Sequence, residues 1–209
     1  GEWSIDAKWK IDRAQYPKLE FKVQYGESDY VFLCRLLEEV GIAFTFQSDE
    51  SSQSRLTLAD SLHTNESRAG LPITYVDNPN EAAEMEFVTH VRIAHEVRPG
   101  AYAIRDYDFR NPSFALFGEA SKTKSPEDRY EQYHYKPGSF LVEGGKGGGT
   151  PVADDKGVAR HEPKYGHDLA EHALQGARTD KRHVSFSTNV IDLMPGSIFA
   201  IGNHPHADV

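Results

Sequence analysis

Histidine is the residue type in this sequence with the most potential for metal chemistry, since the chain contains ten of them. His161 and His167 lack the spacing of a zinc-binding HExxH helix, and we expect Pro163 to disrupt such a helix. His167 and His172 are five residues apart, a poor spacing for one helical face. Three residues near the end of the sequence could serve as metal ligands, but no fourth ligand is evident: His204, His206 and Asp208. An ordinary polar loop is therefore favoured over a metal site, with a metal-dependent hydrolase as the enzymatic alternative.

The other potentially reactive residues also fit structural roles better. Acid pairs such as Asp106 with Asp108 and Asp154 with Asp155 are expected by abundance among 32 acidic residues, and no substrate cleft is evident beside them. Lys146 lies in a glycine run but is followed by Gly147, so the hydroxyl of a phosphate-binding loop is absent. We interpret residues 143–150 as a flexible connector. The sequence therefore predicts no enzyme, no cofactor, and no catalytic or metal-binding residue.

A first helix is predicted near residues 28–40. Ser28 can cap its start, and Gly41 can adopt the left-handed conformation that ends a helix. An apolar stripe is expected to pack on a core, opposite a polar side of Arg35, Glu38 and Glu39. We expect Cys34, the only cysteine, to be a buried core residue on this stripe rather than a reactive thiol. The members of the stripe are Tyr30, Leu33, Cys34, Leu36, Leu37 and Val40.

Alternating apolar residues predict strands before and after a second helix. Residues 42–46 and 55–59 form a predicted strand pair, and residues 87–97 and 101–109 a predicted hairpin around Pro99 and Gly100. The second helix is predicted near 168–178. Tyr130, Tyr133 and Tyr135 are interpreted as core or interface residues. We divide the chain into an α+β segment, 1–80, and a β-rich segment, 81–209. The predicted fold class is α+β and β-rich, with small barrel-like or sandwich units and two peripheral helices.

Composition argues against several other classes of protein. The 209 residues are 38% hydrophobic, enough to bury a sizeable core, and carry a formal net charge of −9. That charge argues against nucleic-acid binding, which needs clustered Lys and Arg. No stretch approaches the roughly 20 apolar residues of a membrane span, and no signal-peptide core precedes Trp3. One cysteine is compatible with assembly in a reducing cytoplasm.

Four segments along the chain form an ordered set of motifs. The first runs from Tyr25 to Ile42 and includes Glu-Ser-Asp and Arg-Leu-Leu-Glu-Glu. The second is Ile104-Arg-Asp-Tyr-Asp-Phe109. The third is Thr150-Pro-Val-Ala-Asp-Asp155, and the last begins at Pro195-Gly-Ser-Ile-Phe-Ala-Ile-Gly. These segments are spread over nearly the whole chain, and in this order they resemble landmarks of VgrG, the spike protein family of the bacterial type VI secretion system, and of related phage tail hub proteins. Four ordered landmarks make the resemblance specific.

The resemblance implies a structural, phage tail hub-like segment of a spike that caps the Hcp tube and helps deliver effectors across target-cell membranes. It also implies a homotrimer in the full-length protein, with the Hcp tube and effector or adaptor proteins as partners. Assembly would occur in the bacterial cytoplasm, followed by secretion or delivery into target cells without a signal peptide. A phage baseplate hub protein is the alternative, and a metal-dependent hydrolase a less favoured one.

Overall fold

The computed structural model describes residues 7–142 and 161–206, apart from residues 20, 49–53, 66, 71, 79–83, 110–111 and 114. In chain order, the strands and helices are β1 (Lys8–Lys10), α1 (Asp29–Glu39), β2 (Ala43–Ser48), β3 (Ser54–Ala59), β4 (Ile73–Tyr75), β5 (Phe87–His95), β6 (Ala101–Asp106), β7 (Leu116–Glu119), β8 (Glu131–Tyr135), α2 (Pro163–Ala177), β9 (Arg182–Thr188) and β10 (Ile201–Gly202). The predicted α+β, β-rich class with two helices is confirmed.

The described residues group into two compact units, each made of separate stretches of chain. The first unit falls within Gly1–Ile11, Ile42–Glu96 and Asp180–Val209, and the second within Asp12–Gly41 and Val97–Thr179. These units do not coincide with the segments 1–80 and 81–209, whose boundary stays a prediction from the sequence. The predicted connector, 143–150, lies outside the described residues.

The first unit contains two sheets. In one, β3 lies between β1 and β2, parallel to the former and antiparallel to the latter. The predicted pairing of 42–46 with 55–59 is confirmed, with Phe44 opposite Leu58. In the other sheet the strand order is β10-β4-β5-β9. Its apolar centre is formed by Ile73, Val88 and Val190.

The long strand β5 does not form the predicted hairpin with residues 101–109. It pairs antiparallel with β9 instead, from Val88 opposite Thr188 to His95 opposite Arg182. Gly100 instead packs closely against the backbone of Glu127, and its N–H donates a hydrogen bond to the Tyr130 carbonyl. The regular alternation predicted for β5 is also broken by a bulge at His90, whose φ of 53° lies in the left-handed region.

In the second unit a three-stranded sheet packs against α2. Its order is β7-β6-β8, with β7 antiparallel and β8 parallel to β6. The buried core between sheet and helix consists of Ile104, Leu116, Ala120, Phe140, Tyr165, Leu169, Ala170 and Leu174. Burial of these side chains is the main contribution that fixes α2 on the sheet.

Helix α1 has the predicted ends but not the predicted packing. The Ser28 hydroxyl accepts a hydrogen bond from the Val31 N–H, and Gly41 has a φ of 72°. No residue of α1 is buried, however, and Tyr30 and Leu33 of the expected core stripe are exposed. Cys34 is half-buried, so its assignment to the core is wrong. The side chain of Glu39, expected on the solvent side, is only 7% exposed because two lysines neutralise it.

Helix α2 begins five residues before the predicted start at 168. Pro163 occupies its first turn, and the side chain of Glu162 accepts a hydrogen bond from the Lys164 N–H. A proline is favourable at this position because the first N–H groups of a helix have no partner within the helix. His161 precedes the helix, as expected if Pro163 prevents one helix from running through both His161 and His167. Among the described residues, neither helix is long and apolar enough to cross a membrane.

Two glycines in α2 give a matched pair of stability tests. A methyl group on Gly166 would overlap the ring of Phe140, which is fully buried, whereas one on Gly176 would meet nothing within 4 Å. We expect Gly166→Ala to destabilise the protein by about 1–3 kcal/mol or more through overpacking. Gly176→Ala should stabilise it by about 0.5–1 kcal/mol through helix propensity. Chemical denaturation of both variants checks this, and similar shifts in the same direction would contradict the packing of α2.

Candidate assembly surface

One face of the sheet of the second unit is covered by α2, and on the other face several large side chains of the described residues are exposed. Ile104 and Leu116 point toward α2 and are buried. Neighbouring residues along a strand point to opposite faces, so Arg105 and Phe117 lie on the other side. The register places Phe117 and Tyr135 on either side of Arg105, one in each flanking strand. Tyr133 lies two residues before Tyr135, on the same face.

We call this set, Arg105, Phe117, Tyr133 and Tyr135, the aromatic face. The exposed fractions are 47% for Phe117, 55% for Tyr133 and 58% for Tyr135. The Arg105 side chain has no ion-pair partner in the part of the chain that the structure describes. Tyrosine, phenylalanine and arginine are enriched at the centres of protein interfaces, because their large side chains gain much from burial. The arrangement is therefore suited to contact with another protein surface.

A second exposed apolar surface lies around α1. It consists of residues on the segment before the helix and on the helix itself, which we call the α1 strip: Phe21, Val23, Tyr25, Tyr30, Val31 and Leu33. Each is between 48% and 90% exposed. The segment and helix are joined by a Lys22–Glu39 ion pair at 2.8 Å and by a hydrogen bond from Arg35 to the Val23 carbonyl at 3.2 Å. A further ion pair, Arg35–Glu27 at 2.6 Å, closes the turn between them.

Between α1, α2 and the sheet lies a groove of about 490 Å³ that is lined mainly by polar side chains. At one side of it, Glu39 pairs with Lys22 and, at 3.5 Å, with Lys136. Burial alone would raise the pKa of the Glu39 carboxyl, but the hydrogen bond from Lys22 and the charges of both lysines outweigh it. The net result is a pKa below the ordinary value of 4.5. Glu39 is therefore a charged link between α1 and the end of β8.

This lowered pKa predicts a specific pH dependence of stability. A carboxyl with a depressed folded-state pKa stabilises the fold above its unfolded-state pKa and loses that contribution as the pH falls through the folded-state value. The difference in unfolding free energy between wild type and Glu39→Gln should be largest above pH 5 or so and shrink as the medium is acidified below about pH 4.5. Denaturation series at several pH values measure it. Glu131→Gln, at an exposed acid on β8, is the control; a difference for Glu39→Gln that does not vary with pH would contradict the ion-pair assignment.

The histidines considered for metal binding make other contacts. The His204 ring packs edge-on against Tyr75 with ring centres 4.4 Å apart, and its Nδ1 accepts a hydrogen bond from the His206 N–H at 3.2 Å. That bond occupies one potential ligand atom. Asp208 lies outside the described residues, as do Asp154, Asp155 and Lys146. Within the described ranges, no group of three or more His, Cys, Asp or Glu side chains is placed to hold a metal ion.

The acid pair Asp106 and Asp108 is divided between two structural contacts. One Asp106 oxygen accepts a hydrogen bond from the Tyr107 N–H at 2.7 Å, and the other from the Gly138 N–H at 2.8 Å. Asp108 is buried with its carboxylate 3.9 Å from Nδ1 of His161. His167 contacts the Glu119 carbonyl, on β7. These contacts tie strand ends and turns together, and they do not bring the two acids to one open cleft.

Sequence reasoning identified part of the aromatic face and missed the rest. The aromatic area of Tyr130, Tyr133 and Tyr135 predicts core or interface residues, and the structure leaves all three exposed. Phe117 and Arg105 were not identified, because only the register of β6 with β7 and β8 reveals that they share a face with the tyrosines. No local sequence signal gives that register.

Comparison with known proteins gives one family and several relatives. The family described as phage tail baseplate hub matches residues 1–209. Two Pseudomonas aeruginosa proteins, type VI secretion system spike proteins VgrG2a and VgrG2b, are each 29% identical over 208 residues, or 98% of this chain. The matched region is 22% of the former and 18% of the latter. Spike protein VgrG4b from the same species is 29% identical over 93% of the chain and 21% of its own length. The chain therefore spans about a fifth of these relatives.

Proposed function

The chain belongs to the phage tail baseplate hub family, and we propose that it forms part of the hub of a type VI secretion spike. The observation that carries this proposal is the whole-chain match: the hub family covers all 209 residues, and spike proteins align with 98% of them. The β-rich fold supports a structural role. The resemblance of four ordered segments to VgrG supports the same assignment.

In this proposal the full-length protein is a trimer that caps the Hcp tube and helps to deliver effectors across a target-cell membrane. It is assembled in the bacterial cytoplasm and expelled with the tube. Effector or adaptor proteins bind to other parts of the assembled spike. The exposed aromatic face supports assembly, because large apolar surfaces are costly to leave in water.

We also propose that this segment is not an enzyme. The contacts of His204, Asp106 and Asp108 support that view, since each holds neighbouring structure rather than facing a shared cleft. A catalytic metal centre would need several ligands around an open position.

A phage baseplate hub is the second candidate, and the description of the matching family favours it. The two candidates share a fold and differ in the tube to which the hub binds. The coding sequences on either side of this protein distinguish them: a gene for an Hcp-like tube protein supports the secretion spike, and phage tail genes support the baseplate hub.

The proposal predicts the mass of the assembled protein. Full-length protein purified from its native host should contain three copies when its mass is measured by analytical ultracentrifugation, because the resemblance to VgrG implies a homotrimer. The same preparation should bind purified Hcp, with an unrelated ring-shaped protein as control. A monomer that does not bind Hcp at micromolar concentrations would contradict the proposed function.

A further inference from the structure

We infer that the aromatic face of one copy binds the α1 strip of the next copy around the hub. This inference rests on the proposed function, which requires several copies to assemble. It assigns the subunit contact to two named surfaces, both of which belong to the second compact unit. The occupant of the aromatic face is thus a second copy of this chain.

The first argument is that each surface exposes apolar side chains without a described cover. On the aromatic face, Phe117, Tyr133 and Tyr135 are about half exposed. On the α1 strip, Tyr25 is 90% and Tyr30 is 67% exposed. A contact in which every copy contributes both surfaces, one to each neighbour, covers all of them. The same arrangement generates a ring when the rotation between copies closes.

Charge determines which surface meets which. Arg105 is at the centre of the aromatic face and has no ion-pair partner in the described part of the second unit. On α1, Glu38 lies two helical turns beyond Val31, on the same side of the helix, and is exposed at the rim of the groove between α1, α2 and the sheet. Glu38 likewise has no ion-pair partner among the residues that the structure describes. These opposite charges are complementary across a contact between the two surfaces.

Self-association of either surface is disfavoured by the same charges. A two-fold contact centred on Arg105 would bring this residue toward its own copy, and one centred on Glu38 would bring Glu38 toward its own copy. Like charges brought together in an interface are unfavourable. The head-to-tail arrangement pairs Arg105 with Glu38 instead. It is also the arrangement that a ring of identical copies requires.

Site-specific cross-linking in the full-length protein tests this contact. The background has its native cysteines replaced by serine, including Cys34→Ser. Arg105→Cys and Glu38→Cys are introduced together, and a short bismaleimide is added. We expect covalently linked dimers and trimers on a denaturing gel. Each variant with only one of the two cysteines should remain unlinked, and so should the control pair Lys124→Cys with Glu38→Cys, because Lys124 is exposed but outside the aromatic face.

A charge-exchange experiment gives an independent measurement of the same contact. Arg105→Glu and Glu38→Arg should each raise the concentration at which the full-length assembly dissociates by about tenfold or more, and combining them should recover most of the loss. Lys124→Glu changes net charge as much as Arg105→Glu and should have little effect. If the full-length protein is a trimer that neither cross-links at these positions nor responds to charge reversal, the inferred contact is wrong and the proposed function stands. If the protein does not assemble at all, the proposed function itself fails.

Discussion

Replacing Phe140 with alanine is expected to destabilise the protein by about 3–5 kcal/mol, the cost of removing a large aromatic side chain from a core. Phe140 is fully buried among Ile104, Leu116 and Leu169, against the α2 backbone at Gly166. Few neighbouring atoms can move into the cavity that the alanine leaves, because the sheet and α2 approach each other closely at this point.

Chemical denaturation followed by circular dichroism measures this effect. Phe21→Ala is the matched control, since Phe21 is 54% exposed and its removal should change stability by less than about 1 kcal/mol. Equal denaturation midpoints for the two variants would show that Phe140 does not anchor the contact between α2 and the sheet. A loss of α2 alone, seen as a separate early transition, would support the assignment and show that the unit unfolds in steps.

Replacing Arg178 with alanine should have an effect of similar size for an electrostatic reason. The Arg178 guanidinium donates one hydrogen bond to Glu127 at 2.8 Å and another to the Pro99 carbonyl at 2.7 Å. Glu127 is buried, and its other oxygen accepts from the Arg98 N–H at 3.4 Å. Removal of the guanidinium leaves a buried carboxylate without this partner. Such a change costs about 3–5 kcal/mol.

The double variant Glu127→Leu with Arg178→Met separates charge from packing. Replacement of both partners by apolar residues removes the uncompensated charge, so this variant should be more stable than Arg178→Ala. The difference in unfolding free energy between the two variants is the measured quantity. A double variant that is less stable than Arg178→Ala would indicate that the hydrogen bonds to Pro99 and Arg98, rather than the buried charge, dominate.

Local signals in the sequence predicted the ends of α1 correctly and failed for its packing. Ser28 and Gly41 act on adjacent backbone, and their roles follow from residue type alone. The orientation of the helix depends on Lys22 and Lys136, which draw Glu39 inward. Lys136 follows Glu39 by 97 positions in the sequence, from 39 to 136. No helical periodicity can contain that information.

Strand pairing shows the same division. The β2–β3 hairpin was predictable because its partners are adjacent in sequence, with Phe46 opposite Leu56. The partner of β5 is β9, far along the chain, and the intervening residues form most of the second unit. A nearby turn signal at Pro99 and Gly100 therefore predicted the wrong partner. The missed half of the aromatic face has the same cause, because Arg105 and Phe117 are brought together only by strand register.

The proposed place of this segment in a spike is tested most directly by electron cryomicroscopy of the full-length protein bound to its tube. We predict a threefold hub in which residues 1–209 of each copy lie in the ring nearest the last tube layer. Density for Arg105 of one copy should lie beside Glu38 of the next. A reconstruction in which the protein does not contact the tube end, or in which these residues lie outside the hub, would contradict the proposed function.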